Sequence, residues 1–292
     1  MPRKKPKIML HMHQIRDFID DRYAFLNNYY KGITPKSYQY KGVQKAFQMG
    51  SAVDFGIKRF YLNQNEIVNS NPTPKINVGD GVLNSTEFKN LPTKIDQTIA
   101  MSLINAYISR FHSDEETKEY FHNFQIVNYK IPFIYTNRRR FKHDFIIYTS
   151  PDLIASMYNS NDLVIIEIKT SGDDPNSYSA ETLDFQTMTY CWASYRWNFK
   201  IPIGVIKRTL MKPRIKLKKD ETESDFMKRI VYDITDNPEK YFKSTYRPVN
   251  KEMVINYENY LREILCELDS CLVSMSKNPF KFYKRSKDYW GL

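Results

Sequence analysis

Residues 163–170, LVIIEIKT, constrain the fold of this chain more than any other segment. Leu163, Val164, Ile165 and Ile166 lead into Glu167, and Ile168 separates Glu167 from Lys169. An unbroken apolar run of this kind marks a strand covered on both faces, which requires a layer of structure above and below it. Side chains alternate along a strand, so Glu167 and Lys169 project to one side, with Ile166 and Ile168 on the other. A carboxylate and an ammonium in such a strand cost folding free energy, so their presence asks for a reason.

An apolar partner lies just upstream, in SPDLIASMY, and Asn159-Ser160-Asn161-Asp162 supplies a turn between the two runs. The pair reads as an antiparallel hairpin. Centring the turn between Ser160 and Asn161 sets Asp152 opposite Lys169, so Asp152, Glu167 and Lys169 share one patch. Two carboxylates held together repel unless a cation lies between them. Oxygen donors on a rigid strand suit Mg²⁺ or Mn²⁺. Such an ion would polarise a phosphodiester and acidify a water, with Lys169 stabilising that water or helping to deprotonate it. A bare E-x-K is very common, however, and by itself reads as an ion pair on an edge strand.

The order of motifs adds to this. Pro151-Asp152 followed about fifteen residues later by Glu167-Ile168-Lys169 resembles the PD-(D/E)XK nuclease superfamily. Downstream, Gln186-Thr-Met-Thr-Tyr190 lies on a helix expected over 179–197, where positions i and i+4 share a face. Q-x-x-x-Y after the E-x-K strand resembles the RecB/Cas4-like exonuclease branch, and the resemblance implies that Gln186 and Tyr190 hold Lys169 and the DNA backbone. That branch commonly carries G-x-x-x-H with a metal-binding histidine. Here the matching stretch is Gly50-Ser-Ala-Val-Asp54, with Asp54 in the histidine's place. An Asp on this apolar stripe needs a partner, either a metal ion or a nearby Lys or Arg. The resemblance thus implies metal ligation by Asp54, Asp152, Glu167 and the carbonyl of Ile168, and catalysis by Asp152, Glu167, Lys169, Gln186 and Tyr190. It covers about residues 10–210.

Many relatives of this kind carry four cysteines around an iron–sulfur cluster. The only cysteines are Cys191, Cys266 and Cys271, with no C-x-x-C, and none falls in 16–30 or 278–292. This departs from the cluster-bearing pattern, so no iron–sulfur cluster is expected, and a zinc site or disulfide framework is equally disfavoured. No G-x-x-x-x-G-K-[ST] loop is present, so no nucleotide cofactor is expected.

Helical periodicity runs through 12–30, 39–62, 93–112 and 254–275, while 64–97 reads as a long loop or irregular insertion. VNYKIPFIY, FKHDFIIYT and IPIGVIKRTL complete the strands. The expected architecture is α/β: a PD-(D/E)XK nuclease core, with a mixed central β-sheet flanked by helices, a helical N-terminal portion and a C-terminal helix. It forms a single nuclease domain, 1–292, with a mainly helical part at 1–125, the catalytic core at 126–217, and a helical part with a basic tail at 218–292. The Val254–Met275 stripe reads as one core-facing helix or as a coiled-coil seam.

The formal net charge is +11, but the runs 2–8, 207–219 and 277–287 alone hold sixteen cations and no acid, so the remainder carries −5. Basic runs on a mildly acidic body point to a polyanion. Arg138, Arg139, Arg140 and Lys142 precede the hairpin, and Lys207, Arg208, Lys212 and Arg214 follow the Gln/Tyr helix, so these eight are the expected DNA-backbone contacts. Interleaved Tyr135, Phe141, Tyr195 and Trp197 could stack on bases or pack in the core. No apolar run is long enough to span a bilayer. The functional expectation is a Mg²⁺- or Mn²⁺-dependent deoxyribonuclease, first an exonuclease acting on DNA ends in recombination, repair or phage replication. The alternatives are a structure- or sequence-specific endonuclease and a catalytically silent DNA-binding or scaffold protein. Implied partners are DNA and a helicase, annealing protein or other recombination factor, with no membrane. The expected location is the cytoplasm of a bacterial or phage-infected cell, with the nucleus and organelles left open.

Overall fold

A computed structural model describes residues 5–25, 41–68, 82–113, 121–133, 141–157, 160–172 and 183–277. The expected contacts Arg138, Arg139 and Arg140, together with Tyr135 and the basic tail beyond 277, lie outside the described residues.

Strands β1 (Lys7–His11), β3 (Tyr129–Phe133) and β4 (Asp144–Thr149) form a three-stranded sheet in the order β1-β4-β3. Strands β2 (Phe121–Gln125), β5 (Leu153–Met157), β6 (Leu163–Ser171), β7 (Gly204–Met211) and β8 (Phe242–Pro248) form a five-stranded sheet in the order β2-β5-β6-β7-β8. It is mixed: β6 and β7 run parallel, while β2–β5, β5–β6 and β7–β8 are antiparallel. The helices are α1 (Met12–Asp20), α2 (Arg22–Phe25), α3 (Lys41–Val68), α4 (Thr86–Lys89), α5 (Lys94–Ile108), α6 (Phe185–Asn198), α7 (Glu223–Asp236), α8 (Pro238–Tyr241) and α9 (Lys251–Lys277). No described helix is long and apolar enough to cross a membrane.

The alternation of β6 divides the interior. Ile165 joins Ile154, Val205 and the α6 residues Cys191 and Trp192 in one buried cluster, to which α9 contributes Val254, Leu261, Leu265 and Leu268. Ile166 and Ile168 join Ile206 and Leu210 in a second cluster with Ala52, Val53 and Ile57 of α3, Leu103 and Ile104 of α5, and Phe226 of α7. The apolar positions of β6 thus face two different layers, as its unbroken hydrophobic run requires. The inward stripe of α9 supports the core-facing reading of this helix.

Helix α3 approaches its neighbours closely. A Cβ on Gly56 would sit 2.3 Å from Ile104 Cδ1, and one on Gly50 would sit 2.9 Å from Thr170 Oγ1. Gly50 therefore lets this helix lie against the strand end that follows Lys169. Asp269 of α9, 3% exposed, accepts backbone hydrogen bonds from Lys142 (2.8 Å) and His143 (3.0 Å) and contacts His143 Nδ1 at 2.8 Å. It fixes the entry to β4.

Two expectations are corrected. The hairpin pairs Leu153 with Ile166 and Ser156 with Leu163, a register two residues away from the one first assigned, which sets Asp152 across from Glu167 rather than Lys169. The cause is the turn: Asn161 adopts φ 55°, Asn161 N donates to Met157 O, and Met157 N donates to Asp162 O. The two-residue shift changes the partners but keeps each side chain on the face expected for it. The segment 64–97 is not all irregular, since α3 continues to Val68, α4 covers 86–89 and α5 begins at Lys94. The mainly helical N-terminal part also carries the short strands β1 and β2, and the C-terminal part carries β8.

Candidate active site

Glu167 is 0% exposed, and both its carboxylate oxygens are buried without a hydrogen bond. Lys169 Nζ lies 2.9 Å from Glu167 Oε1, a close ion-pair contact that lacks hydrogen-bond geometry. Burial pushes the Glu167 carboxyl above its usual range, and Lys169 only partly draws it back. Burial alone would lower the Lys169 ammonium, but the carboxylates of Glu167, Asp184 and Asp152 more than reverse this, so its pKa is raised. Lys169 is therefore a cation at neutral pH.

Asp152 precedes β5 and connects two elements. Its Oδ2 accepts from Ile168 N at 2.8 Å, and its Oδ1 accepts from Lys58 Nζ at 2.9 Å. Lys58 also donates to Asp54 Oδ2 at 2.8 Å, one helical turn away on α3. The remaining oxygen, Asp54 Oδ1, is buried with no partner. Burial, with the Asp152 charge second and Lys58 opposing both, raises Asp54 to about 6. Asp54 thus has the cationic partner that its place on the stripe demanded, and sequence reasoning had overlooked Lys58 as that partner.

Helix α6 brings the third part. Asp184 caps it, accepting from Thr187 N at 2.9 Å, while its Oδ2 lies 3.7 Å from both Lys169 Nζ and Lys207 Nζ. Burial disfavours the Asp184 anion, yet the Thr187 N–H and the two lysines hold its pKa below the usual carboxylate range. Gln186 donates to Tyr190 Oη at 2.5 Å, so the Q-x-x-x-Y pair does share a face. The Tyr190 phenol is 3% exposed and is raised far above its ordinary value, chiefly by burial, with Asp152, Glu167 and Asp184 adding to the shift. Asp184 was missed in the sequence, although an Asp three residues before Thr187 is a capping signal.

The basic residues sort by strand parity. Lys207 is paired in register with Glu167 and Arg208 with Ile168, so they take opposite faces of β7. Lys207 stands beside the carboxylates. Arg208 is 2% exposed, donates to Tyr107 Oη at 2.6 Å and lies 4.2 Å from the centre of the Phe111 ring. It is a buried structural cation, and the expected DNA contact at this position is withdrawn. Phe141 is also core, at 4% exposed, whereas Trp197 is 53% exposed. Lys142 and Arg214 are exposed, and Arg214 Nε donates to Gly172 O at 2.8 Å.

Asp152 thus links two groups: Asp54 with Lys58 on α3, and Glu167 and Lys169 on β6 with Asp184, Lys207 and the Gln186–Tyr190 pair. Among the described residues no three acidic, histidine or cysteine side chains are gathered closely enough to hold a metal ion as they stand. The donor chemistry nevertheless fits a divalent cation, because Glu167 Oε2 and Asp54 Oδ1 are buried, hard acceptors without a hydrogen bond, and Glu167 Oε1 has only the ion-pair contact to Lys169.

The mixed sheet, flanked by helices, carries these carboxylates and lysines around the β5–β6 hairpin. A family model for the PD-(D/E)XK nuclease superfamily matches residues 12–275, and the chain belongs to that superfamily. A search of curated proteins found no match. Membership makes the chain a nuclease by class.

Proposed function

We propose that the protein is a Mg²⁺- or Mn²⁺-dependent deoxyribonuclease of the RecB/Cas4-like kind, an exonuclease acting on DNA ends in recombination, repair or phage replication. The observation that carries this reading is the fully buried Glu167, ion-paired to the cationic Lys169 but without a hydrogen bond, next to the Ile168 N–H that Asp152 accepts. A folded protein does not bury an unsatisfied carboxylate without cost, and a cation-dependent site supplies a reason. The exonuclease reading rests on the order of G-x-x-x-D, D, E-x-K and Q-x-x-x-Y.

Glu167, Asp152, Asp54 and the carbonyl of Ile168 are the proposed ligands. A bound divalent cation would supply Lewis acidity towards a phosphodiester. The bond from Ile168 N to Asp152 Oδ2 holds the residue whose own carbonyl, in the next peptide, is the proposed fourth ligand. Since Lys169 is held protonated by three carboxylates, its part is to orient the attacking water and stabilise charge developing on the phosphate. Asp184 is a second carboxylate beside Lys169, 3.7 Å from its Nζ, and the Gln186–Tyr190 pair lies within electrostatic reach of Glu167 and Asp184. Lys207 stands on the same face as Glu167, placed to receive a backbone phosphate, with Lys142, Lys212 and Arg214 as further contacts.

The test uses 5′- and 3′-end-labelled linear DNA and circular DNA, each with Mg²⁺ or Mn²⁺, on wild type, Glu167→Ala and Lys169→Ala. Wild type should degrade linear DNA and spare circles, with both variants inactive. Cleavage of circles would move the assignment to an endonuclease. Wild type as inert as both variants under every metal would leave a DNA-binding or scaffold role.

A further inference from the structure

We infer that Lys58 is an internal counter-cation whose ammonium holds the place between Asp54 and Asp152 until a divalent metal displaces it. This goes beyond the proposed function and rests on its reading of these two carboxylates as metal ligands. The geometry is specific: Lys58 Nζ lies 2.8 Å from Asp54 Oδ2 and 2.9 Å from Asp152 Oδ1, and its side chain is only 22% exposed. Asp54 and Lys58 are four residues apart on α3, so helical spacing delivers both to the same point. Asp152 cannot turn away from this contact without also giving up its bond to Ile168 N. A divalent cation joining Asp54 to Asp152 would meet a positive charge already within 3 Å of both oxygens. Two cations on one carboxylate pair repel, so metal entry and the Lys58 contact exclude each other. In the metal-free protein the same contact offsets repulsion between the two acids, which lets the site form before loading. Metal affinity is thereby set below what the carboxylates alone would give.

Two measurements without DNA test this. Calorimetric titration with MnCl₂ of Lys58→Met, whose fold is checked by circular dichroism, should show Mn²⁺ binding about tenfold tighter than wild type, the scale of one charge-assisted contact. Wild type treated with an amine-acetylating reagent should show, by peptide mass spectrometry, Lys58 protected without metal and labelled faster at saturating Mn²⁺. Unchanged or weaker Mn²⁺ binding by folded Lys58→Met, or Lys58 labelling that ignores bound Mn²⁺, overturns the inference. If Lys58→Met does not fold, the labelling of wild type decides. Glu167→Gln separates the two levels of the argument. Its loss of Mn²⁺ binding, with Lys58 labelling in wild type indifferent to Mn²⁺, keeps the metal centre and discards the role of Lys58. Absence of Mn²⁺ binding in wild type discards both.

Discussion

Glu167→Gln removes a negative charge from a side chain that is 0% exposed and whose two oxygens have no hydrogen bond. A buried charged group left in this state costs about 1–3 kcal/mol or more. Against that gain stands the lost contact to Lys169, a cation 38% exposed. Such a contact is worth only about 0.5–1 kcal/mol. The net expectation is a metal-free fold more stable by about 1 kcal/mol, and a Tm higher by about 2–4 °C for a chain of this size. The gain depends on pH, because burial raises the Glu167 pKa. Where the wild-type carboxyl is protonated it carries no charge penalty, and stability is lost as pH rises through its folded value. The difference in Tm between Glu167→Gln and wild type should therefore be larger at pH 8 than at pH 5. Activity should fall at least about 100-fold, since the variant loses a charge directed at the reacting centre. Scanning calorimetry in EDTA at both pH values, paired with the end-labelled DNA assay, measures both effects. A variant with native circular dichroism that melts below wild type at pH 8 would refute the reasoning, because it would mean that the folded protein satisfies this carboxylate.

Asp54→Asn should behave alike at a different pH. Asp54 titrates at about 6, above its unfolded value, so wild type loses stability as pH rises through 6. Metal-free melts at pH 5 and pH 7.5 should show the variant gaining on wild type at the higher pH. Asp269→Ala leaves two backbone N–H groups without their acceptor and should cost about 2–4 kcal/mol in chemical denaturation, with Mn²⁺ affinity unchanged. Lys207→Gln should raise the KM for DNA and flatten its dependence on salt. Arg208→Gln, by contrast, should lower Tm and leave KM alone, since Arg208 is inside the fold.

The chemistry of the hairpin was legible because it is local. Apolar runs, a turn and an E-x-K spacing define two strands and a shared face without any knowledge of the rest of the chain. The register missed by two because the left-handed Asn161 moves the centre of the turn, and backbone handedness at an Asn leaves no periodic trace. Arg208 was misassigned because a basic run was treated as a single patch, although strand alternation forbids Lys207 and Arg208 from lining the same groove. Lys58 was legible in principle, since Gly50, Asp54 and Lys58 fall at four-residue intervals. What the sequence could not show is that Asp152, 94 positions further along, would complete the bridge. Helix α7 carried a readable signal as well, a Thr222 cap before Phe226, Ile230 and Ile234. Strands β1 and β2 are five residues each and give too short a period to detect.

The strand that carries Glu167 and Lys169 is the common wall of two apolar clusters. Neither layer can come away without uncovering it. Its amides should accordingly be among the last to exchange with deuterated solvent, opening only when the whole molecule does. The lifetime of the catalytic arrangement is then that of the native state, and heat inactivation should follow the rate of global unfolding instead of a local loosening around the site.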